Sequence, residues 1–230
     1  MRIALASHAW TPQVNGVVTT LWRRGVDLGC FHPREATPLP AGLARRILAC
    51  VGRLAMKKNP EAVRGLPLPG TKLVIGEGPR RTALAARYPQ ARFLGYRMGD
   101  ALAQLLSGAH VLVFPSLTDT FGRVMLEALA CGVPVAAFPM PGPQDVIEPG
   151  VSGVLHADLA VAINAALRLD RRACAARARA SSWRAASAQF LDGLARIPLT
   201  RRAAVAVGRS SAMIERIAAR RQPSQAGDAN

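Results

Sequence analysis

The sequence contains little cysteine, with four residues in a chain of 230 and no Cys-x-x-Cys pair among them. Pairs of that spacing are typical of zinc sites, so their absence argues against a zinc cluster. The wide separation of Cys30, Cys50, Cys131 and Cys174 gives no indication of a disulfide framework. We therefore expect a reducing, cytoplasmic setting, in which these side chains serve as small apolar groups.

Long apolar runs are also missing. No stretch approaches the roughly 20 apolar residues that a membrane-spanning helix needs, and the opening residues MRIALAS are too few for the apolar region of a secretory signal. Aromatic residues make up only 5% of the chain, which leaves few stacking surfaces for nucleic acid. These absences favour a protein without a membrane span and make nucleic acid the least favoured partner.

Acidic residues are few, since the chain has 14 Asp and Glu residues but 30 Lys and Arg residues, which gives a formal net charge of +16. Residues 171–230 hold 12 of the arginines and only three acids. Such a surface could meet anionic lipid or a phosphorylated substrate, or it could reflect arginine filling variable positions. Residues 197–221 fit either a basic amphipathic helix on a membrane surface or a helix that packs on the domain. The sequence leaves both choices open.

What the chain does contain is an alternation of short buried strands with helices. Each predicted strand is apolar and bounded by Gly or Pro, and helical stretches near 79–88, 99–107 and 122–131 separate the later ones. This alternation predicts an α/β fold with a parallel sheet covered on both faces. After Gly153 we expect only helices. The predicted strands are 47–51, 72–76, 92–95, 110–114 and 134–138, and the late helices are 156–168, 171–180 and 182–195.

A first motif follows the first of these strands, where residues 51–58 read VGRLAMKK. Glycine permits a ligand to approach the backbone, and Arg53 and Lys58 place two cations near one loop. Arg offers a planar fork and Lys a point charge, which together suit a diphosphate. The alternative is a solvated basic loop without a ligand.

A second motif, PSLTDTFGRVMLEALACGVP at residues 115–134, runs from a strand end into a helix. The N–H groups at the start of that helix can hold anions or sugar hydroxyls. Asp119 in the loop and Glu127 in the helix could grip two polyol groups of one ligand. The alternative is that Asp119 or Thr120 only caps the helix and that Glu127 is an exposed helical residue.

Together these motifs resemble the donor domain of retaining glycosyltransferases of family four, in mannosyltransferase-like or sulfoquinovosyltransferase-like members. The resemblance rests on Gly-Arg-Leu-x-x-x-Lys at 52–58, on Asp-x7-Glu at 119–127 and on Gly-x-Pro-Val-Ala at 132–136. It implies the two-domain GT-B architecture, with residues 24–195 as a Rossmann-like, nucleotide-sugar-binding domain carrying a helical C-terminal extension.

The resemblance assigns the diphosphate of the donor to three residues. Arg53 and Lys58 would bind it and stabilise the leaving nucleotide diphosphate. Gly16, in a loop that looks like part of the family's other domain, would approach it from the opposite side. No metal and no cofactor is expected, since cations and helix N-termini take the place of a divalent ion.

The same resemblance assigns the sugar groups of the donor. Glu127 would hold the ribose hydroxyls, and Asp119, where many relatives have Glu, would contact the donor sugar. Backbone amides of Thr120, Phe121 and Gly122 would support the sugar and phosphate.

The N-terminal part departs from the family pattern. Residues 1–20 resemble the start of the family's N-terminal domain, yet residues 24–33 already resemble the start of the second domain. We therefore expect that most of the N-terminal domain is missing, with residues 1–23 as a remnant and 196–230 as a basic helix and tail. The interdomain face so exposed would favour self-association.

The resemblance implies hexosyl transfer with retention, for example of mannose from GDP-mannose, to a lipid or saccharide hydroxyl. The first alternative is a catalytically inactive remnant that binds a nucleotide sugar, because transfer depends on two domains closing on each other. The second is a basic nucleic-acid-binding protein. The expected location is the cytoplasm, with the inner face of the membrane as a further option.

Overall fold

The computed structural model of the chain describes residues 25–34, 46–59, 61–64, 69–118 and 122–192. The predicted N-terminal remnant and the predicted basic helix at 197–221 lie outside these ranges.

Within the described residues the strands and helices alternate along most of the chain, as the sequence predicts. The strands are β1 (Ile47–Val51), β2 (Thr71–Ile75), β3 (Arg92–Phe93), β4 (Val111–Phe114), β5 (Val135–Ala137) and β6 (Gly153–Leu155). The helices are a 3-10 turn (Met56–Lys58), α1 (Glu61–Arg64), α2 (Arg81–Arg87), α3 (Gly99–Ser107), α4 (Arg123–Ala130), α5 (Pro141–Val146), α6 (Leu159–Ala166), α7 (Arg171–Arg179) and α8 (Trp183–Asp192).

The six strands form one sheet in the order β3-β2-β1-β4-β5-β6, and every neighbouring pair is parallel. The predicted α/β, Rossmann-like fold is therefore confirmed. The chain builds the sheet outward from β1 in one direction and then from β4 in the other, so the strand order reverses between β1 and β4. Ligands of such sheets bind outside the carboxyl ends of the strands at this reversal.

Alternate residues of each strand face opposite layers, because side chains in a strand point to the two faces in turn. Ala49 and Leu112 belong to a core that includes residues of α3, α4 and α7. Leu48 and Val113 face the other way and pack with residues of α6. Both faces of the central strands are thus buried, which explains their continuous apolar sequences.

The segment 25–34 is fastened to this body at both ends. The amide of Val26 donates to the carbonyl of Ser181 at 2.9 Å, and the amide of Trp183 donates to the carbonyl of Val26 at 3.2 Å. At the other end the Arg34 guanidinium pairs with Asp100 at 2.6 Å, in the first turn of α3. Because these bonds fix both ends, the segment forms part of the domain.

Strand β6 corrects the expectation that no strand follows the start of the helical region. It has only three residues and begins with Gly153, so its own pattern is too short to indicate a strand. It forms because β5 offers a free edge, with which Gly153, Val154 and Leu155 pair. A Cβ on Gly153 would run into the carbonyl oxygen of Val135, so glycine permits the close approach of the two backbones.

All four cysteines are free, and Cys50, Cys131 and Cys174 are buried as small apolar side chains, as expected. Among the described helices, none is both long enough and apolar enough to cross a membrane.

Candidate functional site

The site begins where β1 ends, at Gly52. Its amide donates to the carbonyl of Ile75 at 3.0 Å, which holds the end of β1 against the end of β2. A Cβ on the neighbouring Gly76 would strike the carbonyl oxygen of Gly52, whereas a Cβ on Gly52 would meet nothing within 4 Å. The backbone at Gly52 therefore has open space on one side, and a ligand can approach it there.

The two predicted cations follow directly. Arg53 is exposed, and Leu54 behind it is buried, with its amide donating to the carbonyl of Glu77 at 2.9 Å. Lys58 ends the 3-10 turn, which Asn59 terminates in the left-handed conformation at φ 45°. Burial of Leu54 anchors the loop, so Arg53 and Lys58 extend from one short, fixed segment beyond the carboxyl end of β1.

The second part of the candidate site follows β4. Ser116 is buried just beyond the end of that strand, and α4 starts after Gly122, which has φ 58°. Of the residues predicted for this loop, Asp119, Thr120 and Phe121 lie outside the described residues, as does Gly16 in the N-terminal part. The structure therefore places Gly122 at the start of α4, and the roles of the other four stay predictions.

Glu127 is the fifth residue of α4 and is only 6% exposed, so the alternative of an exposed helical residue is wrong. The Nε of Arg123 donates to its Oε1 at 2.9 Å. Burial raises the pKa of the Glu127 carboxyl, and the charge and hydrogen bond of Arg123 oppose that rise. The result is a carboxylate enclosed by protein with a cation at its side.

Sequence reasoning missed Arg123. Its side chain is 56% exposed at the start of α4, and among the described residues its bond to the Glu127 carboxylate is the one that the structure shows. The spacing of four residues between an arginine and a glutamate on one helix could have indicated the pair.

The strand register sets the loop after β1 beside the loop after β4. Leu48 pairs with Val111 and Ala49 with Leu112. Continuing that register sets Val51 beside Phe114, so the loops after β1 and β4 leave the sheet at the same level and next to each other. Arg53 and Lys58 therefore share one edge of the sheet with the start of α4. Cations suited to phosphate thus follow β1 at the edge of the sheet where the helix that carries Glu127, a carboxylate suited to hydroxyl groups, begins.

No cluster of three or more His, Cys, Asp or Glu residues suited to a metal ion occurs in the described part of the chain.

The chain matches a known protein family. The family model of Glycosyl transferases group 1 matches residues 45–169, which include Arg53, Lys58 and Glu127. D-inositol 3-phosphate glycosyltransferase of Mycolicibacterium paratuberculosis is 36% identical over 188 residues, covering 71% of this chain and 42% of that protein. GDP-mannose-dependent alpha-mannosyltransferase of Mycobacterium tuberculosis is 36% identical over 143 residues, covering 58% of this chain and 37% of that protein.

Among solved structures, sucrose-phosphate synthase from Thermosynechococcus elongatus matches with a TM-score of 0.65 at 28% identity, covering 73% of this chain and 50% of that one. The chain spans less than half the length of both curated relatives, at 42% and 37%. The matched residues and the six-stranded parallel sheet agree, and the chain belongs to the glycosyl transferases group 1 family, with the Rossmann-like fold of GT-B enzymes.

Proposed function

We propose that the chain binds a nucleotide sugar in the crevice between β1 and β4 and supplies this donor site for the transfer of a hexosyl group. The observation that supports the proposal is the strand register, which sets the loop with Arg53 and Lys58 beside the loop that leads into α4 and its buried Glu127, where the strand order reverses. Anionic and polyol groups of a nucleotide sugar match these side chains in chemical type.

The diphosphate lies over the open backbone of Gly52 in this proposal. Arg53 and Lys58 hold its oxygens, and Gly16 approaches from the other side. The same two cations then stabilise the nucleotide diphosphate as it leaves with the electrons of the glycosidic bond. Because charge develops on the leaving oxygens, fixed cations there lower the barrier, and the transfer needs no metal ion in this scheme.

The ribose and hexosyl groups of the donor lie beside α4 and the loop that precedes it in this proposal. The Glu127 carboxylate accepts hydrogen bonds from the ribose hydroxyls, and Asp119 contacts the hexosyl group. Backbone amides of Thr120, Phe121 and Gly122 support the sugar and phosphate. We infer GDP-mannose as the donor, since one relative of 36% identity is named as GDP-mannose-dependent. Transfer with retention to a lipid or saccharide hydroxyl completes the proposal.

A second candidate function is donor binding without efficient transfer. Its support is that the residues assigned above all serve the donor, and none of the described residues is assigned to an acceptor. Orientation of acceptor and donor can supply roughly 7–11 kcal/mol of a reaction barrier, so a donor site without an acceptor site would act very slowly. Measurable hexosyl transfer by the purified chain, followed with radiolabelled GDP-mannose, would reject this candidate. The predicted self-association, cytoplasmic location and membrane contact stay predictions.

Calorimetric titration tests the donor site directly. We expect GDP and GDP-mannose to bind more tightly than UDP and UDP-glucose. Glu127→Ala should lose about tenfold in affinity for GDP, as expected for one lost charged hydrogen bond. Arg53→Ala should weaken GDP binding more than guanosine binding, since it faces the diphosphate.

Arg172→Ala is the matched control, because Arg172 is exposed on α7. Its neighbour Arg171 bonds the carbonyls of Ser107 and Ala109, which precede β4, so this part of α7 lies at the other end of that strand. It should bind GDP as the unaltered chain does. If Glu127→Ala and Arg53→Ala both retained full affinity, the site assignment would be wrong.

A further inference from the structure

The position of Arg123 is unfavourable for the stability of α4. Arg123 is the first residue of this helix, where a cation is repelled by the positive end of the helix dipole. An arginine four residues before a glutamate is also the weaker orientation of an ion pair on a helix. Local helix stability therefore does not explain why an arginine occupies this position.

Its contact with Glu127 offers an explanation. The Nε of Arg123 lies 2.9 Å from Oε1 of Glu127, while more than half of the Arg123 side chain stays exposed. One nitrogen thus holds one carboxylate oxygen, at the start of α4. A buried carboxylate loses its charge readily unless a cation or hydrogen bonds compensate.

Among the described residues, the other titratable groups whose charge interacts with Glu127 are two thiols. Cys30 lies in the segment 25–34 and Cys131 lies one turn further along the chain after α4. Burial raises the pKa of both thiols, that of Cys131 to about 11, so both are neutral near neutral pH. Arg123 is therefore the charged group that compensates Glu127 in the described structure.

We propose that Arg123 is a positioning residue that keeps the Glu127 carboxylate ionised and oriented toward the ribose hydroxyls of the donor. This inference rests on the proposed function, since it concerns how Glu127 binds ribose. An ionised carboxylate accepts hydrogen bonds from both ribose hydroxyls, whereas a protonated one offers a donor in place of one acceptor. Arg123 acts through Glu127 and extends the range of pH in which ribose is recognised.

The test compares GDP with 2′,3′-dideoxy-GDP, which lacks the ribose hydroxyls, by calorimetry at about pH 7.5 and about pH 5.5. For Arg123→Met, the preference for GDP over the dideoxy compound should fall about threefold or more at the lower pH, because the carboxyl that has lost its cation takes up a proton there. The unaltered chain should keep most of its preference. Titration of the GDP phosphates is common to all variants and cancels in the comparison.

Two further variants separate positioning from a general structural role. Arg123→Lys keeps the charge and should restore most of the preference at the lower pH, whereas Arg172→Met, which removes another exposed arginine, should match the unaltered chain. If Arg123→Met does not fold in urea titrations, Arg123→Gln replaces it, with the same low-pH loss expected.

The outcomes distinguish the two proposals. If the unaltered chain prefers GDP over dideoxy-GDP and Arg123→Met shows the same preference at both pH values, Arg123 has no positioning role and the donor site stands. If the unaltered chain does not distinguish the two compounds and Glu127→Gln binds equally well, the ribose site itself is wrong.

Discussion

Phe114 and Gly122 close against each other where β4 gives way to α4. A Cβ added to Gly122 would lie 2.8 Å from the Cζ of Phe114 and 2.8 Å from the Cε of Met125. Gly122 also has φ 58°, a conformation that side chains disfavour. Both the lack of space and the positive φ therefore require a glycine here. Its conformation sets the direction in which α4, which carries Glu127, leaves the end of β4.

Gly122→Ala should consequently lower the free energy of unfolding by about 1–3 kcal/mol, from backbone strain and contact with Phe114. Urea denaturation followed by tryptophan fluorescence measures the change. Gly29→Ala is the control, because its added Cβ would be near only one side-chain oxygen of Asp27, at 3.2 Å. Equal stability of the two variants would show that α4 can shift freely.

A second prediction concerns Arg171, whose guanidinium donates hydrogen bonds to carbonyl groups at the end of α3. Its Nη1 donates to the carbonyl of Ala109 at 2.6 Å and its Nη2 to that of Ser107 at 2.8 Å. Arg171→Met leaves both carbonyls without these partners and should cost about 1–3 kcal/mol in urea denaturation. The neighbouring Arg172→Met should change stability by less than about 0.5 kcal/mol. A similar loss in both variants would contradict the assigned role of Arg171.

The third prediction is a pH dependence of stability set by His110. Its Nδ1 accepts the amide proton of Ile47 at 3.2 Å, and burial, followed by the charges of Arg171 and Arg46, lowers its pKa below 6.5. The unfolded chain therefore takes up this proton first as the pH falls. Stability from His110 is present above about pH 6.5 and is lost below it.

His110→Asn isolates this effect, because an amide oxygen can still accept from Ile47 but does not titrate. Between about pH 7.5 and about pH 5.5, the urea midpoint of the unaltered chain should fall more than that of the variant. Glu127 has a raised pKa and works in the opposite direction, but it is common to both proteins. Parallel pH curves for the two proteins would refute the prediction.

A fourth prediction concerns thiol reactivity. Burial raises the pKa of Cys131 and Cys174 to about 11, and Cys50 is also buried, whereas Cys30 is partly exposed. Since the thiolate is the reactive form, an aromatic disulfide reagent should label about one thiol in the folded chain and all four in urea. Cys30→Ser should abolish the labelling of the folded chain. Rapid labelling of Cys131 would contradict its burial.

Much of the fold could be predicted because local pattern and tertiary position agree. The strands at 47–51 and 110–114 are short apolar runs between turns, and such runs form strands only when both faces are covered. The structure confirms them with a shift of at most one residue. Strand β6 could not be predicted, because three residues including Gly153 carry no pattern of their own and depend on the free edge of β5.

The candidate site divides in the same way. The types of residue at Arg53, Lys58 and Glu127 indicated diphosphate and hydroxyl binding before any coordinates. Whether Glu127 faced solvent or protein could not be decided from its spacing, because burial depends on residues far away in the chain. Cys30, almost a hundred residues earlier, is close enough for its thiol to interact electrostatically with Glu127. Arg123 went unnoticed for the same reason, since an exposed arginine on a helix is ordinary until its partner is known to be buried.

The sequence by itself determined the parallel α/β architecture and the chemical character of the two loops, because strand pattern, glycine placement and charge are local properties. Only the tertiary structure decided that β1 and β4 are neighbours at the reversal of strand order, that their loops leave the sheet side by side, and that Glu127 is enclosed with Arg123 as its partner. Those features depend on strand pairing and burial, which arise from contacts between residues distant in the chain.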